Sequence, residues 1–258
     1  KISPGFFNNP KIGLPTTSGM MILLDSKTGV LKAILLDKGY LTDVRTAVAG
    51  AIASKYLAKN SISNIGIVGA GAQAKFQLEA LLLVKKPKEI RLWARSENSA
   101  KAYIAEINKK YNFKTFICKT VQEVTENSEI VISTTPSKEP LIKAEWLHPG
   151  LQITAMGSDA EHKNEIDPQI IATADLYVCD RQSQTSILGE LHHAIKKGIV
   201  DKNKEYTEVG EIINGTKKGR KSEQEIIICD LTGTGVQDTA IARFAFEKAV
   251  KNKMVLEV

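Results

Sequence analysis

Three features of the chain have residue types and spacings that can do chemistry: the run Gly69-Ala70-Gly71-Ala72-Gln73-Ala74, the arginine Arg45 and the acid Asp159. The run follows the apolar Ile65-Gly66-Ile67-Val68 and leads into a helical pattern, so it reads as strand, tight turn and helix start. Gly69-x-Gly71-x-x-Ala74 fits the dinucleotide fingerprint, with Ala74 in the third glycine's place. Gly69 permits the sharp turn, Gly71 presents no Cβ to a pyrophosphate, and Ala74 lets the helix pack closely on the strand. The helix N-terminus adds unpaired N–H groups and a partial positive charge. A plain strand-to-helix turn also uses such glycines, and for the motif alone that alternative stands.

In a fold of this kind a ligand lies across the carboxyl ends of the strands, so those ends hold the remaining candidates. The second strand ends in Trp93-Ala94-Arg95-Ser96-Glu97, with no acid at its tip for a ribose 2′-hydroxyl. Arg95 and Ser96 suit a 2′-phosphate, which leans towards NADP(H) over NAD(H); a solvent-facing or adenine-stacking Arg95 is the alternative, and Glu97 lies close. Thr134-Thr135-Pro136 follows the next strand of the central group, as a floor under ribose or nicotinamide or as a turn cap. Met156-Gly157-Ser158-Asp159 ends another strand; Asp159 is a general acid/base if partly desolvated, or else an Asx-turn or N-cap residue. Thr232-Gly233-Thr234-Gly235 closes the last strand ahead of Asp238, as an approach to the nicotinamide or a capped tight turn. The cofactor-contacting set is then Gly69, Gly71, Ala72, Gln73, Arg95, Ser96, Thr134, Thr135, Met156, Gly157, Ser158, Thr232 and Gly233.

The elements that must position these groups follow from periodicity. Met20–Leu24 and Leu31–Leu36, joined by Asp25-Ser26-Lys27-Thr28-Gly29, predict an antiparallel hairpin ahead of the glycine turn. Thr42 reads as the N-cap of a helix whose apolar positions recur at three- and four-residue steps. Arg45 in that helix's first turn opposes the helix dipole, so it is either a surface residue paired with Asp43 or another acid, or a fork for a carboxylate. From residue 61 strands and helices alternate, which predicts an α/β, Rossmann-type, doubly wound parallel sheet. The last helix, from Gln237, is expected to return to the first region and make that domain discontinuous.

Composition narrows the function classes. The 258 residues carry a net charge of +6, but the lysines are scattered and the aromatics few, so a solvated surface is preferred over a nucleic-acid face. Cys118, Cys179 and Cys229 lie in or at the end of apolar runs without a C-x-x-C, as buried thiols of a cytoplasmic protein would. No long apolar span marks a membrane segment. Adjacent His192 and His193 point to different helix faces, and His148 and His162 are isolated, so no metal site is expected.

Several stretches together resemble the ornithine cyclodeaminase/mu-crystallin family: Lys1-Ile2-Ser3-Pro4-Gly5 with Gly13-Leu14-Pro15, Leu41-Thr42-Asp43-Val44-Arg45-Thr46-Ala47, and Val68–Ala74. Met156-Gly157-Ser158-Asp159 with Lys163 and Glu165, Gly189-Glu190, and Asp230–Asp238 complete the pattern, in the family's order and over nearly the whole chain. The wording around Trp146, Met156–Ile166 and Leu191-His192-His193 is similar to ectoine-utilisation cyclodeaminases, a branch that also holds iminosuccinate reductases. The resemblance implies a homodimer. It implies a smaller α+β substrate and dimerisation domain at 1–60 with 237–258, and an NAD(P)-binding domain at 61–236. It also implies that Arg45 and Lys1 bind the carboxylate of a small amino or imino acid, with Asp159 and Lys1 catalytic. The family has a further N-terminal segment with another substrate-binding arginine ahead of the position of Lys1, and the chain departs from the pattern there. The leading expectation is a cyclodeaminase that borrows and returns a hydride while releasing ammonia. The alternatives are an imine or ketimine reductase or amino-acid dehydrogenase, and a non-catalytic NADP(H)-binding protein of the crystallin type.

Overall fold

A hairpin opens the chain because two short apolar runs flank a turn that only a left-handed residue closes. In the computed structural model, which describes residues 1–6 and 8–255, β1 (Met21–Leu24) pairs antiparallel with β2 (Leu31–Leu35), and Gly29 adopts φ +71°. The next helix, α1 (Tyr40–Leu57), starts two residues before the expected Thr42 cap. Lys38 and Gly39 both take positive φ, and Asp37 Oδ2 accepts from Leu41 N at 2.7 Å, so Asp37 does the capping.

The alternating segment forms one parallel sheet. Its elements are β3 (Asn64–Val68), α2 (Ala72–Leu81), β4 (Glu89–Trp93), α3 (Glu97–Lys110), β5 (Lys114–Ile117), α4 (Val121–Glu126), β6 (Ile130–Ser133) and β7 (Gln152–Ala155). There follow α5 (Gln169–Thr173), β8 (Leu176–Cys179), α6 (Gln182–Thr185), α7 (Glu190–Lys196), β9 (Thr207–Glu208), α8 (Val209–Ile213) and β10 (Ile227–Asp230). The strand order is β5-β4-β3-β6-β7-β10-β8-β9, and every pairing in it is parallel. The chain therefore winds outwards from β3 to one side and from β6 to the other, leaving the switch point between those two strands. The two-residue β9 and the five-residue α8 have too little sequence for periodicity to reveal and were not foreseen.

The core lies on both faces of this sheet. Ile65, Ile67, Ile130 and Ile132 pack with Leu78, Leu81 and Tyr103 on one face; Val68, Val131 and Ile153 pack with Val124, Ile166 and Leu191 on the other. All three cysteines are buried and free. Burial pushes the Cys118 thiol up to about 11 and Cys179 to about 12, so neither is a nucleophile near neutrality.

The chain divides into two units: Ala47–Gly233, and Lys1–Thr46 with the segment from Thr234 onward. The division falls inside α1, whereas the resemblance implied a first domain that takes in all of 1–60. Ala53 and Leu57 pack with Val178, Ile212, Ile227 and Cys229, and Ala47 and Ala51 pack against Ala80, which ties the helix's second half to the sheet unit. The second segment of the smaller unit is α9 (Gly235–Lys251); residues 256–258 of the expected 237–258 lie outside the described residues.

Gly66 marks the closest packing in the sheet: an added Cβ would meet Val124 Cγ1 at 2.6 Å and Ser128 Oγ at 2.7 Å. We expect Gly66→Ala to lower stability by about 1–3 kcal/mol, the usual cost of overpacking. A denaturation midpoint equal to that of the wild type would show that α4 can yield.

Candidate functional site

The glycine turn has the geometry its sequence predicted. Gly69 sits at φ +112° with its N–H donating to Trp93 O at 2.8 Å, and a Cβ there would lie 3.0–3.2 Å from Thr134 and Thr135. Gly71 is the N-cap of α2, and a Cβ on it would meet nothing within 4 Å. Ala74 is fully buried, and its carbonyl accepts from the Tyr103 hydroxyl at 3.0 Å. No acid occupies the first turn of α2, so the positive end is not neutralised locally. Thr134 Oγ1 is buried beside Gly69 and has no hydrogen-bond partner among the described residues. An open cradle, unneutralised N–H groups and an orphaned hydroxyl fit a bound dinucleotide.

The floor of this region is held by an acid to which the sequence pattern assigned no role. Glu165 is fully buried. Its Oε1 accepts from Thr135 N at 2.6 Å and Thr135 Oγ1 at 2.8 Å, and its Oε2 from Ser133 Oγ at 2.8 Å and Gly157 N at 2.7 Å. One carboxylate thus ties the loop after β6 to the loop after β7. Gly157 has no room for a side chain, since a Cβ would fall 2.1 Å from Thr135 O and 2.6 Å from Glu165 Cδ. Met156 N donates to Ser133 O at 3.0 Å.

Asp159 stands just beyond, with its side chain 55% exposed and 2.5 Å from Lys163 Nζ. The Lys163 carbonyl accepts from Ser158 Oγ and from His193 Nε2, each at 2.6 Å. His193 therefore holds the backbone that presents the Asp159–Lys163 pair. Desolvation lowers its pKa, followed by the opposing hydrogen bond to Lys163 O and repulsion from His192, Lys196 and Lys197.

Behind these loops lies a chain of buried acids. Glu190 Oε1 accepts from Glu165 N at 2.8 Å, and Asp230 Oδ2 accepts from Glu190 N at 2.9 Å, Leu191 N at 3.1 Å and Tyr177 Oη at 2.7 Å. Burial raises all three carboxyls above their ordinary range, and Asp230 is pushed up to about 7. Asp180 braces the expected Thr232-Gly233 turn, accepting from Thr232 N at 2.9 Å and Gly233 N at 2.7 Å. Gln184 Nε2 donates to Thr232 Oγ1 at 2.9 Å and Gly233 O at 2.7 Å.

Arg95 is exposed, and Ser96 caps α3 by accepting from Ser99 N at 3.4 Å. Glu97, the acid that complicated the 2′-phosphate reading, is paired with Lys101 at 2.7 Å. In the smaller unit, Arg45 pairs with Asp238: its Nη1 donates to Gln237 Oε1 at 3.0 Å and its Nε lies 3.1 Å from Asp238 Oδ1. Lys1 Nζ reaches the same oxygen at 3.0 Å. Lys1 and Arg45, the two expected carboxylate ligands, are therefore brought together. No group of His, Cys, Asp and Glu among the described residues could hold a metal ion. No described helix is long and apolar enough to cross a membrane.

Residues 1–253 match the ornithine cyclodeaminase/mu-crystallin family. The chain belongs to that family. A family relative from Sinorhizobium fredii, described as an uncharacterized cyclodeaminase, is 53% identical over 249 residues, covering 96% of this chain and 75% of its own length. Two solved family structures superpose closely. An archaeal alanine dehydrogenase dimer with bound NAD matches with a TM-score of 0.92 at 35% identity, covering 99% of this chain and 78% of that one. The Δ1-pyrroline-2-carboxylate reductase of Thermococcus litoralis, in complex with NADH and L-proline, matches with a TM-score of 0.93 at 29% identity, covering 99% and 79%.

The buried acids give a pH dependence. The folded-state pKa of Asp230, about 7, lies above its unfolded value, so the folded state binds the extra proton between about pH 4 and 7. Its contribution is most favourable below that window and is lost as pH rises through it. We expect Asp230→Asn, which keeps an acceptor for Tyr177, Glu190 and Leu191, to flatten the fall in unfolding free energy from pH 5 to 8 by roughly 1–3 kcal/mol. Parallel wild-type and variant pH profiles would mean that Asp230 stays ionised throughout.

Proposed function

We propose that this chain is a nicotinamide-dependent oxidoreductase acting at the α-carbon of a small amino or imino acid. The observation that carries the reading is the open turn at Gly69–Ala74 beside the unpaired Thr134 hydroxyl. Gly69, Gly71, Ala72 and Gln73 would hold the pyrophosphate, with Thr134, Thr135, Met156, Gly157, Ser158, Thr232 and Gly233 lining the rest. A nicotinamide, when bound, supplies a hydride acceptor or donor. Lys1 and Arg45 bind the substrate carboxylate, and Asp159, paired with Lys163, takes or returns the proton at the substrate nitrogen. Glu165 fixes the two loops on which these groups stand.

Net hydride transfer is favoured as the direction because the two solved family members above carry dehydrogenase and reductase names. The cyclodeaminase reading keeps its support from the relative with 53% identity, and the same groups serve both reactions. Pairing of two copies through the hairpin is part of the proposal. Ile22, Leu24, Leu31 and Ile34 are 44–58% exposed on β1 and β2, an apolar ribbon that a second copy would cover.

The deciding assay offers NADH or NADPH with 2-keto acids plus ammonia, and separately offers NAD+ or NADP+ with amino and diamino acids. Steady change in nicotinamide absorbance supports the oxidoreductase, whereas ammonia release without net cofactor change supports the cyclodeaminase. Asp159→Asn should lower kcat by about 10²-fold or more while leaving dinucleotide affinity intact, the usual scale for a lost acid/base. Turnover that survives Asp159→Asn unchanged would remove the acid from the chemistry. Arg95→Ala should weaken NADPH far more than NADH, and equal weakening would reject the 2′-phosphate contact.

A further inference from the structure

Lys1, Arg45 and Asp238 form one charged constellation, and its internal carboxylate has no part in the roles assigned above. Asp238 Oδ1 lies 3.0 Å from Lys1 Nζ and 3.1 Å from Arg45 Nε, with the three side chains only 13–22% exposed. The Arg45 Nε–H is within ion-pair distance of that oxygen but not aligned with it, so this buried donor has no hydrogen-bond acceptor among the described residues. Lys1 and Asp238, but not Arg45, line a cavity of about 250 Å³ whose other walls are the hairpin strand Met21–Leu24 with Thr239 and Ala242. Those walls are mostly apolar, so the charged groups dominate the field within it.

We propose that Asp238 sets the charge selectivity of this end of the site, favouring amino and imino acids with one carboxylate over those with two. The inference rests on the reading that Lys1 and Arg45 bind the substrate carboxylate. Two cations beside one fixed anion leave a weaker positive field than two cations alone. The first carboxylate of a ligand in the cavity meets the Lys1 ammonium, whose field Arg45 supplements from the other contact of Asp238. A second carboxylate brought into the same cavity finds the Lys1 ammonium already engaged and meets the fixed charge of Asp238 and a mostly apolar wall. Because Asp238 acts by its charge, its removal should help a dianion more than a monoanion, whatever other groups complete the site. Asp238 also lies in the first turn of α9, where an acid favours the helix dipole, so a purely structural role is the competing explanation.

The test is binding of L-alanine and L-proline, with one carboxylate each, against L-aspartate and succinate, with two, to the dinucleotide-loaded protein. Calorimetry suffices, so the result does not depend on turnover. Asp238→Asn should raise the affinity for the two-carboxylate ligands relative to the one-carboxylate ligands by roughly tenfold, less at high salt. Asp238→Glu, which keeps the charge, should retain the wild-type preference. Lys1→Gln, which leaves α9 untouched, should move the ratio the other way. A ratio unchanged in Asp238→Asn, or lost equally in Asp238→Glu, would overturn the proposal and leave the site reading standing. Absence of binding by all four ligands to the wild type would overturn both. Stronger binding of diamino acids to the wild type, abolished in Asp238→Asn, would instead assign Asp238 to a distal ammonium and overturn the charge-selectivity proposal.

Discussion

The sheet unit depends on one buried carboxylate. Glu165 accepts four hydrogen bonds from three residues: Ser133 at the end of β6, Thr135 on the loop that follows it, and Gly157 on the loop after β7. Such an acid is costly to bury unless its acceptors are filled, and here they are filled by groups that would otherwise need partners of their own. Thr135 N and Gly157 N are loop amides with no strand to pair with, so Glu165 replaces the ladder where the ladder ends. The tight fit at Gly157 follows directly: the loops approach closely because one side chain draws both in, and any side chain at 157 would push them apart.

The cost of that burial does not stop at one residue. The backbone of Glu165 is held by Glu190, and the backbone of Glu190 by Asp230, so three acids share one desolvated region. Burial holds protons on these carboxyls as pH rises, with neighbouring like charge adding to the effect at Glu190 and Asp230. The arrangement trades stability for position: an apolar core could fill the same volume, but it could not donate or accept at the loop amides. Asp180 repeats the device at the last strand, where it takes the Thr232 and Gly233 amides. The loops after β6, β7 and β10 are therefore each held by an acid from another segment.

These acids explain how far the sequence could be read. The hairpin, the parallel strands and most helices are legible because apolar periodicity is a local signal, and strands buried on both faces announce themselves as continuous apolar runs. The glycine turn is legible for the same local reason. Asp230 ends the run Ile226-Ile227-Ile228-Cys229, which ought to mark it as buried, yet nothing nearby in the chain shows that Tyr177 and the α7 amides receive it. Glu165 and Thr135 are thirty residues apart, and a pairing of that span has no sequence period to betray it. The start of α1 shows the reverse failure, a local one: Thr42 has the right side chain for a cap, but Lys38 and Gly39 turn the chain earlier and give the task to Asp37.

Arg45 illustrates why residue type and position can be read when partners cannot. With a helix starting at Thr42, a cation at 45 reads as a first-turn cost to be met by an acid or by a ligand; α1 starts earlier, at Tyr40, and Arg45 lies beyond its first turn. The structure supplies an acid, nearly two hundred residues away on the helix that completes the same unit. Arg45 thus meets an acid that sits in the first turn of α9, where the helix dipole favours a negative charge. Such a pair carries no net charge along its own contact, and the Lys1 ammonium on the same oxygen then leaves an excess of positive charge. That excess, rather than either cation alone, is what an incoming carboxylate would meet.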